Sequence, residues 1–217
     1  MILVPVKILK NAKQRLSPVL DQHCRFALAQ AMLQDVAEAL ANWPSRPEVA
    51  FVTSDPFALE LAQEFDFEVI ADDFNRSETD AIEMASSICV DRGIESTLVI
   101  PGDIPLVSGF ELQQVMDAAP KEGSVLVPAS DGRGTNAAYR NPAALFPLRF
   151  GNDSFKPHRA AAQATGKPCV ILSLPGIGLD IDNPADLQAL ITAAGEGHAQ
   201  RLARNWSLSD YPVAANE

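Results

Sequence analysis

The chain has 217 residues, 47% of them apolar, and carries a formal charge of −11 at neutral pH. A chain of that size and composition folds around a sizeable core, as one domain or two small ones, and is not disordered. The acidic balance argues against a nucleic-acid partner, which needs a basic footprint, and no apolar run is long enough to span a bilayer. The three cysteines, Cys24, Cys89 and Cys169, are dispersed and form no CxxC pair. They therefore support neither a zinc knuckle nor a disulfide framework and read as reduced thiols. The opening MILVPVKILK has no basic stretch ahead of an apolar run too short for a signal peptide. It reads as a buried strand, and a cytoplasmic address with no membrane partner is expected by default.

Elements alternate along the chain. Ile2–Val6 reads as a strand, and a polar loop from Lys7 to Arg15 follows it. A helix is expected over about Gln22 to Ala41, with Phe26, Ala29, Leu33, Val36 and Leu40 recurring at steps of three and four. Val49–Val52 is the next strand. Ser54-Asp55-Pro56 then starts a helix that runs to about Phe65, with proline at its first turn. A strand over Phe67–Ile70 leads through the loop Asp72 to Arg76 to a helix starting near Ser77. The buried strand Thr97–Ile100 delivers the chain into Pro101-Gly102-Asp103-Ile104-Pro105-Leu106, ahead of a helix over Gly109 to Ala118. Val125–Val127 and Asn136–Tyr139 are strands flanking the turn Asp131-Gly132-Arg133-Gly134-Thr135. A helix follows from Ser154 to Ala164, then strands over Val170–Leu174 and Leu179–Ile181, and a last helix from Pro184 to about Ala193. This divides the chain into a domain over 1–194 and a loosely attached tail over 195–217.

The alternation predicts an α/β fold, a Rossmann-like and mostly parallel sheet with helices on both faces. Such sheets bind ligands at the carboxyl ends of their strands. Neither GxGxxG nor the Walker loop is present, so a ligand must be held by other means. Four groups of residues lie where those means belong. Lys7, Lys10, Lys13 and Arg15 crowd the loop after the first strand, where cationic side chains would grip a polyphosphate; a solvated basic loop is the plain alternative. Asp103 follows a buried strand, positioned to offer carboxylate oxygens to a hard cation such as magnesium or to bond its own turn. Asp180 and Asp182, two apart on an expected strand, point to one face and repel unless a cation joins them; Asp182 or Asn183 could instead cap the helix at Pro184. The turn Asp131–Asn136 suits backbone contact with a phosphate or base, and equally a hairpin connection. Gly151-Asn152-Asp153-Ser154 is similar, since Ser154 could cap a helix whose start is also an anion site. Ser77-Glu78-Thr79-Asp80 reads as a variant capping box, and His23, His158 and His198 show no ligand pattern.

Taken in order, VPVK…KNAKQRLSP, VTSD, PGDIPL, DGRGTN, FGNDSF and GLDIDNP resemble the phospho-acid guanylyltransferases of deazaflavin coenzyme F-420 biosynthesis. The resemblance runs from about Met1 to Leu190. It implies a nucleotidyltransferase-type sheet that uses GTP and a small phosphorylated acid: 2-phospho-L-lactate, phosphoenolpyruvate or 3-phospho-D-glycerate. It further implies Mg²⁺ on Asp103, Asp180 and Asp182, Lys13 on phosphate, and Thr135, Gly151 and Ser154 holding the phospho-acid. Lys13 and Asp103 would then be catalytic, with Lys7, Lys10 and Arg15 binding substrate. A homodimer is compatible with the family. Two segments depart from the family pattern: Pro-Gly-Asp replaces Pro-Ala-Asp, and Ser77–Ala81 replaces the Leu-Asn-x-Ala that helps form the nucleoside pocket. Competing readings keep the fold. They are CMP or UMP transfer to a sugar phosphate, GMP transfer to a molybdenum cofactor, a glycosyltransferase, and a non-catalytic nucleotide-binding protein.

Overall fold

A computed structural model describes residues 1–73, 77–151 and 153–206. Strand β1 (Ile2–Val6) is a run of five buried residues, ILVPV, and a strand without polar alternation belongs where both faces are covered. It sits mid-sheet, parallel to β2 (Val49–Thr53), with Ile2 opposite Val49 and Val6 opposite Thr53. On its other side it pairs in parallel with β4 (Thr97–Val99). Strand β3 (Glu68–Ala71) extends the parallel half beyond β2. The remaining strands are β5 (Gly123–Pro128), β6 (Thr135–Asn141) and β7 (Cys169–Ile171), and the full order is β3-β2-β1-β4-β6-β5-β7. β6 runs antiparallel to both β4 and β5, because the six residues between β5 and β6 are too few for a crossover and permit only a hairpin. The Asp131–Thr135 turn is that hairpin connection.

The pleat splits the core in two. Ile2, Val4 and Val6 face one buried cluster with Leu33, Leu40 and Ile104. Leu3 faces the other, with Val52, Ile82 and Leu148, as alternation along a strand requires. Helix α1 (Gln22–Ala41) is capped by Asp21, whose side chain accepts from the Cys24 N–H. Helix α2 (Pro56–Glu64) starts on Asp55 with proline in its first turn. Helix α3 (Glu78–Asp91) is capped by Ser77 and α4 (Gly109–Asp117) by Ser108. Helices α5 (Phe155–Ala164), α6 (Pro175–Gly178), α7 (Pro184–Thr192) and α8 (His198–Arg204) complete the fold. Among the described residues no helix is long and apolar enough to cross a membrane.

Two expectations are corrected. Leu179–Ile181 is not a strand but an extended connection between α6 and α7. Its apolar character comes from packing: Ile181 is fully buried, and its N–H donates to the Asp103 carbonyl at 3.2 Å rather than to a ladder. The tail is not loose over residues 198–204. There α8 docks on α1, burying Ala199 and Ala203 completely, and the Asp35 carboxylate accepts from the His198 and Ala199 N–H groups at 2.6 and 2.9 Å. Small alanines four apart let the helices approach closely without a hydrophobic signal in the sequence. The end of the expected tail, 207–217, lies outside the described residues, as do 74–76 of the Asp72–Arg76 loop and Asn152.

Asp35→Ala removes the acceptor for both N–H groups at the start of α8. It should lower unfolding stability by about 1–2 kcal/mol and raise proteolytic cleavage after residue 193, read by urea titration and limited proteolysis.

Candidate active site

The expected polar loop after β1 is built from two 3-10 turns, Leu9–Asn11 and Gln14–Leu16. Leu9 and Leu16 plug them into the core, and Asp55 accepts from the Leu9 N–H at 2.9 Å. Lys13 joins the turns with φ 56 and ψ 40, a left-handed conformation uncommon outside glycine and asparagine. That conformation turns its side chain inward to 7% exposure. There the ammonium donates to Asp103 Oδ2 at 2.5 Å and to Asp182 Oδ1 at 2.9 Å. Burial alone would lower the Lys13 pKa, but the two carboxylates outweigh it and raise it above the ordinary value. Arg15 approaches the other Asp182 oxygen at 3.6 Å.

The three aspartates expected to act together share one cavity of about 300 Å³, with Arg15, Thr135 and Ser154 on its walls. Backbone bonding explains how distant segments meet there. The Asp103 carbonyl accepts from the Ile181 N–H, and the Ser130 N–H donates to Gly178 at 2.7 Å. These bonds fix the α6–α7 connection against the end of β4 and the hairpin. Glu111 holds α6 from outside, accepting from the Gly176 and Ile177 N–H groups. Asp182 is not a cap: Asn183 caps α7 in a capping box with Asp186, which leaves the Asp182 carboxylate to the cavity. Asp180 accepts from Asn136 Nδ2 at 3.0 Å.

Negative charge exceeds positive here. Burial pushes the Asp180 carboxyl up to about 6, offset in part by the Asn136 hydrogen bond and reinforced by Asp103 and Asp182. Burial and then Asp103 push Glu78 to about 7. For Asp182, burial is outweighed by Lys13 and its pKa falls. A cluster of hard carboxylate oxygens with unbalanced charge is the donor chemistry that a magnesium ion takes beside phosphate. The set is spread out rather than tight. Among the described residues the only three ligand atoms within 4.8 Å of one another belong to Asp35, Glu38 and His198, where Asp35 is already engaged as the α8 acceptor.

A second cavity of about 420 Å³ adjoins the first, running from Pro5, Lys7 and Lys13 to Ala29, Met32 and Leu33. Glu78, Pro101, Asp103, Asp182 and Arg15 line both. Lys7 reaches Asp72 at 2.9 Å on this side. Lys10 lines neither cavity; it borders a separate groove with His23, Phe26 and Phe57. The Thr135 and Ser154 side chains and Gly151 meet in the smaller cavity. Gly151 has φ +136, which side-chain-bearing residues rarely adopt. Ser154 stands at the helix start without making a cap bond; its hydroxyl lies 3.5 Å from Thr135 Oγ1.

The irregular segment 142–151 is held by side chains that bond its backbone. Arg140 donates to the Phe146 carbonyl, Glu83 accepts from the Leu148 N–H, and Thr79 bonds both backbone groups of Phe150. Sequence reasoning passed over two residues. Glu78 is on the wall between the cavities, although Ser77 does cap α3; the departure from the family pattern was the available signal. His158 lies buried under the Thr135–Ser154 pair, and an isolated histidine gave no signal.

A mixed sheet with a basic loop after β1, one carboxylate after β4 and two on the α6–α7 connection, all gathered at one cavity, is the frame of a nucleotidyltransferase. The fold is shared with a protein described as a nucleotide-diphospho-sugar transferase from Desulfovibrio desulfuricans, at a TM-score of 0.75 and 18% identity, covering 94% of this chain and 93% of that one. It is shared also with a 4-diphosphocytidyl-2C-methyl-D-erythritol synthase, at a TM-score of 0.59 and 13% identity over 87% and 95% of the two chains. The chain belongs to the CofC-like guanylyltransferase family, whose model matches residues 1–213. It is 31% identical to a 2-phospho-L-lactate guanylyltransferase of Methanothermobacter thermautotrophicus, over 99% of this chain and 94% of that protein. It is 35% identical to a phosphoenolpyruvate guanylyltransferase of Roseiflexus castenholzii, over 94% and 93%.

Burial, then the nearby Arg140 charge, lower the His158 pKa from its usual 6.5 to about 4. Folded His158 stays neutral where an unfolded one protonates, so stability is intact above pH 6.5 and is lost as pH falls towards 4. The loss should reach roughly 2–3 kcal/mol. Urea midpoints at pH 7 and pH 4.5 should differ more for the wild type than for His158→Gln.

Proposed function

We propose that the protein transfers GMP from GTP to a small phosphorylated acid, with release of pyrophosphate, in the assembly of a deazaflavin coenzyme. The observation that carries this reading is the convergence of Asp103, Asp180 and Asp182 on one of two adjoining cavities, the one walled by Thr135, Gly151 and Ser154, with Asp103 and Asp182 also lining its neighbour, which is rimmed by Lys7, Lys13 and Arg15. The larger cavity suits the nucleotide, with its triphosphate over the basic rim and its nucleoside towards Pro5, Ala29 and Met32. The smaller suits the acceptor. The names of the relatives point to 2-phospho-L-lactate or phosphoenolpyruvate, and 3-phospho-D-glycerate is a third acceptor of the same chemistry.

The reaction asks for little proton transfer. A phosphate monoester has its second pKa near 6 and is mostly a dianion at neutral pH. An acceptor phosphate oxygen attacks the α-phosphorus of GTP, the bond from that phosphorus to the bridging oxygen breaks, and pyrophosphate leaves with the electron pair. Thr135 and Ser154 orient the acceptor with their hydroxyls. Lys13, Lys7 and Arg15 offset the charge that builds on the leaving pyrophosphate, and in a partly desolvated cleft such contacts outweigh their value in water. Asp103, Asp180 and Asp182 would hold Mg²⁺, which when bound would supply charge neutralisation to the substrate phosphates. Positioning and charge then carry catalysis.

Purified protein with GTP, Mg²⁺ and each of the three acids should release pyrophosphate with at least one, and mass spectrometry should find the diphosphate-linked product. Failure with all three, alongside turnover of CTP or UTP with a sugar phosphate, would replace this reading. Asp103→Asn and Asp182→Asn should each lower kcat by about a hundredfold or more while the fold persists. Lys13→Ala should weaken use of the triphosphate, seen in kcat/KM for GTP.

A further inference from the structure

His158 is 1% exposed and lies on α5, one turn beyond Ser154. Its Nε2 accepts the Arg149 N–H at 2.7 Å. A ring nitrogen that accepts a hydrogen bond carries no proton, so in the neutral ring the proton is on Nδ1. Nδ1 lies 2.9 Å from Thr135 Oγ1 and therefore donates to it. The Phe150 ring packs edge-on to the imidazole, 5.1 Å between centroids.

This fixes the polarity of the hydroxyl pair beyond it. Thr135 Oγ1 receives the imidazole proton, and its other polar neighbour is Ser154 Oγ at 3.5 Å. The pair has two hydroxyl protons and at most one lies between the two oxygens. At least one O–H is therefore left to point elsewhere, and among the described residues no acceptor meets it. The open side is the cavity that Arg15 and Arg133 also line. Asp131, on the same wall, is engaged by Arg133 at 2.9 Å. A directed O–H in a cavity that two arginines also line suits a ligand whose oxygens only accept, such as a fully ionised phosphate.

We propose that His158 is a positioning residue for the acceptor phosphate, which it serves by holding the Thr135–Ser154 hydroxyl pair with a proton turned into the cavity. This rests on reading that cavity as the acceptor site. His158→Gln can still accept from Arg149 but offers no donor at the Nδ1 position, whereas His158→Asn keeps that donor. Steady-state kinetics with phosphoenolpyruvate and GTP separate the two. His158→Gln should raise KM for phosphoenolpyruvate about tenfold and leave KM for GTP within about twofold, the scale of one lost hydrogen bond to a charged group. His158→Asn should lie within about threefold of wild type, and His158→Gln should add nothing in a Thr135→Val background.

Nitrogen-15 NMR of the wild-type imidazole should show the Nδ1–H tautomer, and inorganic phosphate should shift the Thr135 resonances. An Nε2–H tautomer overturns the proposal. So does an unchanged phosphoenolpyruvate KM in His158→Gln, or an equal rise in both KM values. If the wild type guanylylates none of the three acids, the functional reading falls, and the tautomer and the phosphate titration decide the role of His158 without it.

Discussion

A single buried ammonium organises this molecule. Lys13 binds Asp103, 90 residues away, and Asp182, 169 residues away. A charge this deep is tolerated only when paired, so the ion pairs tie the loop after β1 to the end of β4 and to the approach to α7. The left-handed backbone at Lys13 is the local cost of aiming the side chain inward. In return the three segments that carry the cations and carboxylates of the cleft are locked to one another.

Around that centre the two halves of the sheet contribute differently. The parallel strands β1 and β4 present their carboxyl ends to the larger cavity, as open α/β sheets do. The antiparallel strand β6 presents its beginning: Thr135 and Asn136 enter the cleft at its first residues and the chain then runs away. The wall opposite has no ladder. It is an irregular segment whose backbone groups are satisfied by Arg140, Glu83, Thr79 and His158, which is how a loop close to a core meets its hydrogen-bonding demand. Arg140 does this from a site so buried that its pKa falls to about 10.

Much of this was legible in the sequence, for local reasons. The order of strands and helices followed from periodicity. The starts of α2, α3 and α7 followed from Asp55-Pro56, Ser77 and Asn183-Pro184, because caps and prolines act within a few residues. Asp103, Asp180 and Asp182 stood out as charges beside short apolar runs, only the first of which is a strand. What failed depended on contacts across the chain. Leu179–Ile181 looks like a strand because burial gives the same apolar signature whether or not a ladder exists. Helix α8 was missed because alanines that pack against a helix look like alanines in solvent. Glu78 was hidden by a genuine cap at Ser77, and the bonds of His158 to Arg149 and Thr135 have no trace in residue spacing.

The division of labour between the walls bears on how such a protein diversifies. Residues between 129 and 154 supply most of the lining of the smaller cavity, whereas the larger one is lined chiefly from the loop after β1, from α1 and from the end of β4. On the proposed reading of the two cavities, substitutions within that stretch would alter the fit of the acceptor while the lining of the donor cavity stays as it is. Acceptor preference, so read, is open to retuning within one contiguous module of the chain.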